Sequence, residues 1–444
     1  MPVLLLNILQ PVIAAQKVFQ WRDYSAALQS MNHAAVAAEY SGEGTAVVQF
    51  ERANLYWNAV EASNSTTLFG DCNAPRGRSK QLDSLGWVPT GADCQVAWVM
   101  CVRADSRTGD RRSCAVRNAV HATNVAKAIV AVASNTRVVS IKLARMDGRA
   151  YRDAVSFLTT PTTDANYPNR WYRERGLSAR YYGYYQRIFA GKTPAEYWNL
   201  VAANVSDAPP VLVFGQANHP AGNRAALFSE SCSVSNPDPA AGARPEKYVD
   251  DWLAVNNPNS KVLSVADWGP ASQRLRKAGV MPLAAALNVL FARQVGDEQP
   301  EKYKSVNGVG FPACLPETFA VSGIVPDYPE RNNKWQYIGT NVHPVLTDFV
   351  APGEATSHST PLVAGMVALL KSANLAPSAS IDAVKEYLAA SAKPRAKAGW
   401  SCDMRSTQTP FPEGEHPSLD CSALEDPFYE KPVLDAQAAV NAAR

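Results

Sequence analysis

No run of apolar residues in the chain is long enough to cross a membrane as a helix. No CxxC pair occurs among the eight cysteines, which argues against a zinc cluster. No charge of one sign dominates: 43 basic and 40 acidic residues leave a net +3. A dedicated nucleic-acid binder carries a strong basic excess, so the balance argues against that class. No acidic cluster has the spacing of a calcium loop.

What is present is a chain of 444 residues, 46% hydrophobic, ample for one large α/β domain or two smaller ones. An even number of cysteines reads as disulfides made in an oxidising compartment, with buried free thiols as the alternative. Cys94, Cys101 and Cys114, and separately Cys402 and Cys421, are close enough in sequence to close local loops. Residues 2–15 are apolar and end in Ala14-Ala15, but Gln10 and Pro11 interrupt them and no basic region precedes. Weak signal peptide, buried strand and propeptide remnant all fit. Asn64-Ser65-Thr66 and Asn204-Val205-Ser206 are glycosylation sequons, used only in a secreted eukaryotic chain. Residues 170–189 interleave tyrosines with arginines. Such a pattern stacks nucleobases in some proteins, but in a near-neutral chain it reads as a helix packed on a domain face.

The stretch that organises the chain is 347–370. A short apolar strand ends at Pro352-Gly353, a turn of small residues follows (Ala355, Thr356, Ser357), and then an apolar helix. Ser359 or Thr360 is suited to cap that helix and Pro361 to its first turn. Val363, Ala364, Val367 and Leu370 fall on one face. Ser357 then stands just before a helix N-terminus, where backbone N–H groups favour developing negative charge. A nucleophilic serine profits from that place, although a buried strand-turn-helix with a capping serine is the plainer reading.

Earlier in the chain, residues 24–40 read as an alanine-rich helical stretch, ended by Gly42-Glu43-Gly44. Residues 45–51 read as a buried parallel strand. Residues 61–118 read as a loop-rich, disulfide-braced excursion without strong periodicity. His121 stands just before an apolar helical face (Val125, Ile129, Val132), with Thr123 or Asn124 as cap. Residues 137–143 follow as a strand. Residues 210–216 read as a strand ending at Gly215, and residues 261–269 compete for the same role. Leu275 to Ala278, Gly279 and the run from Val280 read as helix end, stop and buried strand.

These blocks resemble the subtilisin-like (S8) serine proteases. Ala351-Pro352-Gly353, then Ala355-Thr356-Ser357-His358-Ser359-Thr360-Pro361 and Val363-Ala364-Gly365, is similar to the family's serine block, with Ala355, His358 and Ser359 as departures. Residues 121–127 resemble its histidine block, with Ala122, Asn124 and Lys127 as departures. Glu51 stands where the family carries its aspartate after a Gly-x-Gly turn. The acid, histidine and serine come in the family's order. Residues 310–323 and 428–440 resemble further family elements, so the likeness runs from about 35 to 444.

The resemblance implies a three-layer α/β/α fold with a mostly parallel central sheet. It implies one peptidase domain over 35–444, after an N-terminal segment 1–34 and with an insertion within about 150–260. It implies Ser357 as nucleophile, His121 as base, Glu51 as orienting acid and Asn288 as oxyanion donor, with Asn218 as the rival. Losing such a donor is worth about 3–4 kcal/mol, a magnitude that comes from subtilisin itself. Val213, Phe214 and Gly215 are expected to line the substrate groove. No cofactor is required, and structural calcium, common in the family, has no evident ligand set here. The expected partner is a peptide or protein substrate, with neither nucleic acid nor membrane, and the expected state is a secreted or extracytoplasmic monomer. The alternative function is a catalytically inactive, peptide- or protein-binding relative. Four drifted neighbours speak for that alternative: Glu51, Ala122, Leu287 and Ala355.

Overall fold

A computed structural model describes residues 24–51, 69, 86–87, 94–102, 120–143, 151, 155, 211–214, 233–234, 247–248, 265–286, 309, 312–313, 315–326, 335–336, 346–353, 355–373, 381–390 and 433–444. In chain order the elements are α1 (Ser25–Ser30), α2 (Ala34–Ala37), β1 (Ala46–Glu51), β2 (Gly86–Trp87), β3 (Val96–Val102), α3 (Val120–Val132) and β4 (Arg137–Leu143). There follow β5 (Val211–Phe214), β6 (Ser233–Val234), β7 (Lys247–Tyr248), α4 (Val265–Lys277), β8 (Met281–Ala285) and β9 (Phe319–Pro326). The last are β10 (Trp335–Gln336), β11 (Phe349–Pro352), α5 (Thr356–Ser372), α6 (Ile381–Ala390) and α7 (Ala436–Ala443).

Among the described residues the sheet has nine strands, in the order β10-β9-β8-β5-β1-β4-β3-β2, with β11 added to β9. All its pairings are parallel except β2 with β3 and β10 with β9. From β1 the chain moves to β3 and β4 on one side, then crosses back to β5 on the other. In open α/β sheets such a reversal leaves a crevice at the carboxyl ends of the strands, where sites form. Glu51 is the last residue of the central strand β1, so it stands at that crevice.

Side chains alternate across β1. Val47 joins the core made with α3 and α5, while Phe50 meets Tyr151 edge-on at 5.9 Å on the other face. Tyr151 Oη lies 3.1 Å from Ser272 Oγ of α4. The helices thus sit on both faces, and the fold is the expected α/β/α with a mostly parallel sheet. Every residue of α5 from Thr356 to Leu370 is buried. Sequence periodicity suggests one apolar face; a helix apolar all round is instead a central core helix. It crosses α3 at Gly365, where a Cβ would stand 2.6 Å from Val132 Cβ and 2.9 Å from Ile129 O. Only a residue without a side chain permits that approach.

Other readings change in detail. The helical stretch at 24–40 is two short helices, separated by a turn in which Asn32 takes φ 52°. Ala27 and Met31 lie in the core and Ala436 N–H donates to Met31 O, so the packed region begins before residue 35. β3 occupies a stretch read as loop. Its signal is the unbroken apolar run Val96-Ala97-Trp98-Val99-Met100-Cys101-Val102, typical of a strand covered on both faces. Residues 265–269 open helix α4, so they do not form a strand that competes with β5. Gly279, at φ 72°, ends the segment after α4 as expected, and β8 follows. At the C-terminus Asp435 caps α7, accepting from Ala438 N–H at 2.9 Å.

Candidate active site

Glu51 is fully buried at the end of β1. Burying a carboxylate is unfavourable unless a partner compensates it. The partner is His121: Nδ1 lies 3.1 Å from Glu51 Oε2. The other oxygen, Oε1, is buried without a hydrogen-bond donor among the described residues. The His121 side chain keeps 33% of its surface exposed, so the ring reaches from a buried anchor towards solvent. With Nδ1–H donated to the carboxylate, the ring presents Nε2 as an acceptor on the open side.

His121 is the second residue of α3, and Thr123 and Asn124 lie inside the helix rather than at its cap. Ser357 is the second residue of α5. The helix begins five residues before Pro361, so Ser359 and Thr360 do not cap it either. Ala355 stands at the cap, extended at φ −136° and ψ 150°, with no side-chain hydrogen bond. The first intrahelical donors are His358 N–H and Ser359 N–H, both to Ala355 O, at 2.8 and 3.2 Å. Ser357 N–H precedes them, at the positive end of the helix. Thr360 Oγ1 donates to Thr356 O at 2.6 Å, and Ser359 Oγ donates to Pro352 O at 3.1 Å, stapling the turn to β11.

Ser357 and His121 each stand in the first turn of a helix, and the two helices pack on one another at Gly365. Ser357 lies eight residues before Gly365, and His121 lies eight before Ile129, the carbonyl that Gly365 packs on. At about 1.5 Å per residue each stands about 12 Å from the crossing. His358 lies close enough to His121 to feel its charge. Burial, and then the charge of His121, push its imidazole down to about 3. It is therefore neutral across the working pH range.

The turn into α5 is tightly enclosed. A Cβ on Gly323 would meet Gly353 O at 2.6 Å and Ser359 Oγ at 2.8 Å; one on Gly353 would meet Ser359 Oγ at 2.4 Å. Close approach thus requires glycine at both positions.

Val213 is fully buried, and β5 is hydrogen-bonded to β1 on one side and β8 on the other. Residues 211–214 therefore offer no open edge to a peptide backbone. Asn288, Gly215, Asn218, Leu287, the 170–189 stretch and most of the 150–260 insertion lie outside the described residues. β8 runs to Ala285, and Ala286 N–H donates to Val321 O at 2.9 Å. Among the described residues no three His, Cys, Asp or Glu side chains gather as a metal site. No described helix is long and apolar enough to cross a membrane.

Residues 190–406 match the model of the subtilase family, Peptidase_S8. The match contains Ser357 and Asn288, whereas Glu51 and His121 lie before it. For these two residues the contact between their side chains is thus independent of the match. Among solved structures the chain is similar to a lanthipeptide protease, at 12% identity and TM-score 0.43, covering 95% of this chain and 94% of that one. It is also similar to a protease of Pseudoalteromonas arctica PAMC 21717, at 13% identity and TM-score 0.41, covering 93% and 94%. No curated protein matches the chain. Subtilases are serine-type peptidases acting on peptides and proteins.

Proposed function

We propose that the protein is a serine endopeptidase in which Glu51 orients His121, His121 is the general base and Ser357 is the nucleophile. The observation that carries this reading is the 3.1 Å contact between Glu51 and His121 at the sheet's crevice. Ser357 Oγ attacks the scissile carbonyl while His121 Nε2 takes its proton. The same proton then goes to the leaving amine, and water repeats the sequence on the acyl-enzyme. The oxyanion is held by Ser357 N–H at the start of α5 and by Asn288, the donor that the subtilase resemblance implies.

Secretion and disulfide bracing belong to the same proposal. Buried Cys94, disulfide-bonded, supports it. The substrate is a peptide or protein and the acting form a monomer.

The test is labelling with a fluorophosphonate probe, followed by mapping of the labelled peptide. Labelling at Ser357, lost in Ser357→Ala, is the expected result. A folded, monodisperse sample that does not label would overturn the reading in favour of a peptide-binding relative.

A further inference from the structure

We propose that Gln49 is a positioning residue for this site, holding the first turn of α3 so that His121 meets Glu51; the proposal rests on the peptidase reading above. Gln49 is fully buried in a strand whose neighbours Val47, Val48 and Phe50 are apolar. A buried amide in such a place is unfavourable unless it is hydrogen-bonded. Its Nε2 donates twice, to Ala122 O at 3.1 Å and to Ser140 Oγ at 2.9 Å. Its Oε1 has no partner among the described residues. The amide is thus held through its donors.

The direction of those donors is informative. Val47, Gln49 and Glu51 share one face of β1 and point at α3. Gln49 reaches the carbonyl of the residue that follows His121, one strand step below the Glu51 contact. Ser140 stands beside Gln49 on β4, in register with it. The second donation therefore fixes the amide, and the first fixes the helix turn. Glu51 meets the imidazole at Nδ1, while Gln49 holds the backbone of the turn that carries the ring.

The test compares Gln49→Met, which keeps length and loses both donors, with Ser140→Ala, which loses only the lateral partner. The readouts are the rate of fluorophosphonate labelling at Ser357, the kcat and KM for a peptide substrate, and the downfield proton signal of His121 Nδ1–H. That signal is assigned by its loss in His121→Ala. A loosened turn displaces the base by a fraction of an ångström to about 1 Å, so labelling and kcat should fall by roughly 10- to 100-fold with KM little changed. The Nδ1–H signal should shift upfield or broaden. Ser140→Ala should stay within about twofold of wild type in rate and keep the signal.

Equal effects of the two variants would make the loss a general consequence of a broken buried network and overturn the proposal. So would a Gln49→Met protein with wild-type rate and signal. If Gln49→Met does not fold, Gln49→Asn withdraws the amide by one methylene and is judged by the same readouts. If the wild type does not label, the peptidase reading fails, but the Nδ1–H signal still decides whether Gln49 sets His121 against Glu51.

Discussion

Gly323→Ala tests how the turn carrying Ser357 is held. Gly323 lies on β9, well before the serine in sequence, yet its missing side chain leaves room for the turn after β11. An added Cβ would stand 2.6 Å from Gly353 O, 2.8 Å from Ser359 Oγ and 3.2 Å from the Ala355 carbonyl carbon. The hydroxyl belongs to a side chain and can turn away; the carbonyl belongs to backbone already fixed by Gly353 N–H donating to Ile324 O at 2.8 Å. Relief therefore requires β9 and the turn to separate by several tenths of an ångström. Overpacking of this kind destabilises by about 1–3 kcal/mol. The same displacement reaches Ser357 two residues after Ala355, where a shift near 1 Å lowers rate about 100-fold. Denaturant midpoints and the labelling rate at Ser357 measure the two effects. Adding Ser359→Ala should restore little, because the clash with Gly353 O remains. Gly353→Ala is the contrast: its shortest contact is Ser359 Oγ at 2.4 Å, so Ser359→Ala should restore a larger share. A Gly323→Ala protein with wild-type midpoint and labelling rate would refute the argument, since the turn would then not be seated on β9.

Glu51→Gln keeps shape and burial but replaces the anion that faces His121 Nδ1; kcat should fall by roughly 10³- to 10⁴-fold with the fold retained, checked by peptide hydrolysis and circular dichroism. Glu51→Asp should lie between the two, because the shorter arm lengthens the 3.1 Å contact. His358 is held down to about 3 from 6.5 by burial and the His121 charge, so below pH 6.5 the unfolded chain binds a proton that the folded chain does not. Folding stability should therefore fall as pH drops from about 6.5 towards 3, and His358→Met should flatten that dependence in urea titrations at several pH values. Lys371, half-buried near the C-terminal end of α5, is lowered by desolvation from 10.5 to about 8. Its contribution to stability should be fully present above pH 10.5 and decline as pH falls to 8, a slope that Lys371→Met should remove.

Much of the fold is legible because buried parallel strands write themselves as short apolar runs. β1, β4, β5 and β11 stand within a residue or two of the runs that indicate them. β3 has the same signature, and the Gly, Pro and charged residues around it hide it. Helix starts are less legible. Ser359, Thr360, Thr123 and Asn124 are good capping residues, but all four lie within helices, and α5 begins directly after β11 at Ala355, which has no capping side chain. The acid–base contact is readable only as an order of residues. Glu51 and His121 are 70 positions apart, and their 3.1 Å separation depends on α3 lying across β1. Val213 shows the opposite case: a strand ending near glycine suggests a groove, and the neighbours β1 and β8, which close both its edges, are invisible in its own sequence.

The drifted neighbours that favour an inactive relative can be weighed one by one. Ala355 replaces a glycine in the family block, and a methyl there would matter if the backbone needed a left-handed conformation or a close approach. It takes φ −136° and ψ 150°, which any residue adopts, so no strain arises from the substitution. Because alanine has no capping oxygen, it also adds no competitor for the N–H groups at the start of α5. Ala122 replaces another glycine and is fully buried within α3, where alanine is the better helix former; its carbonyl accepts from Gln49. Glu51 is one methylene longer than the family's aspartate, and its Oε2 nevertheless meets His121 Nδ1 at 3.1 Å. Three of the four departures are therefore accommodated by the fold around them, each by a different device: an extended cap, a helical alanine, and a strand that ends at the right height. The tight positions are elsewhere, at Gly323, Gly353 and Gly365, where an added Cβ has no room. Filling any of them would perturb the serine turn or the packing of α3 on α5, so the positions that carry Ser357 and His121 depend on these glycines rather than on the drifted neighbours.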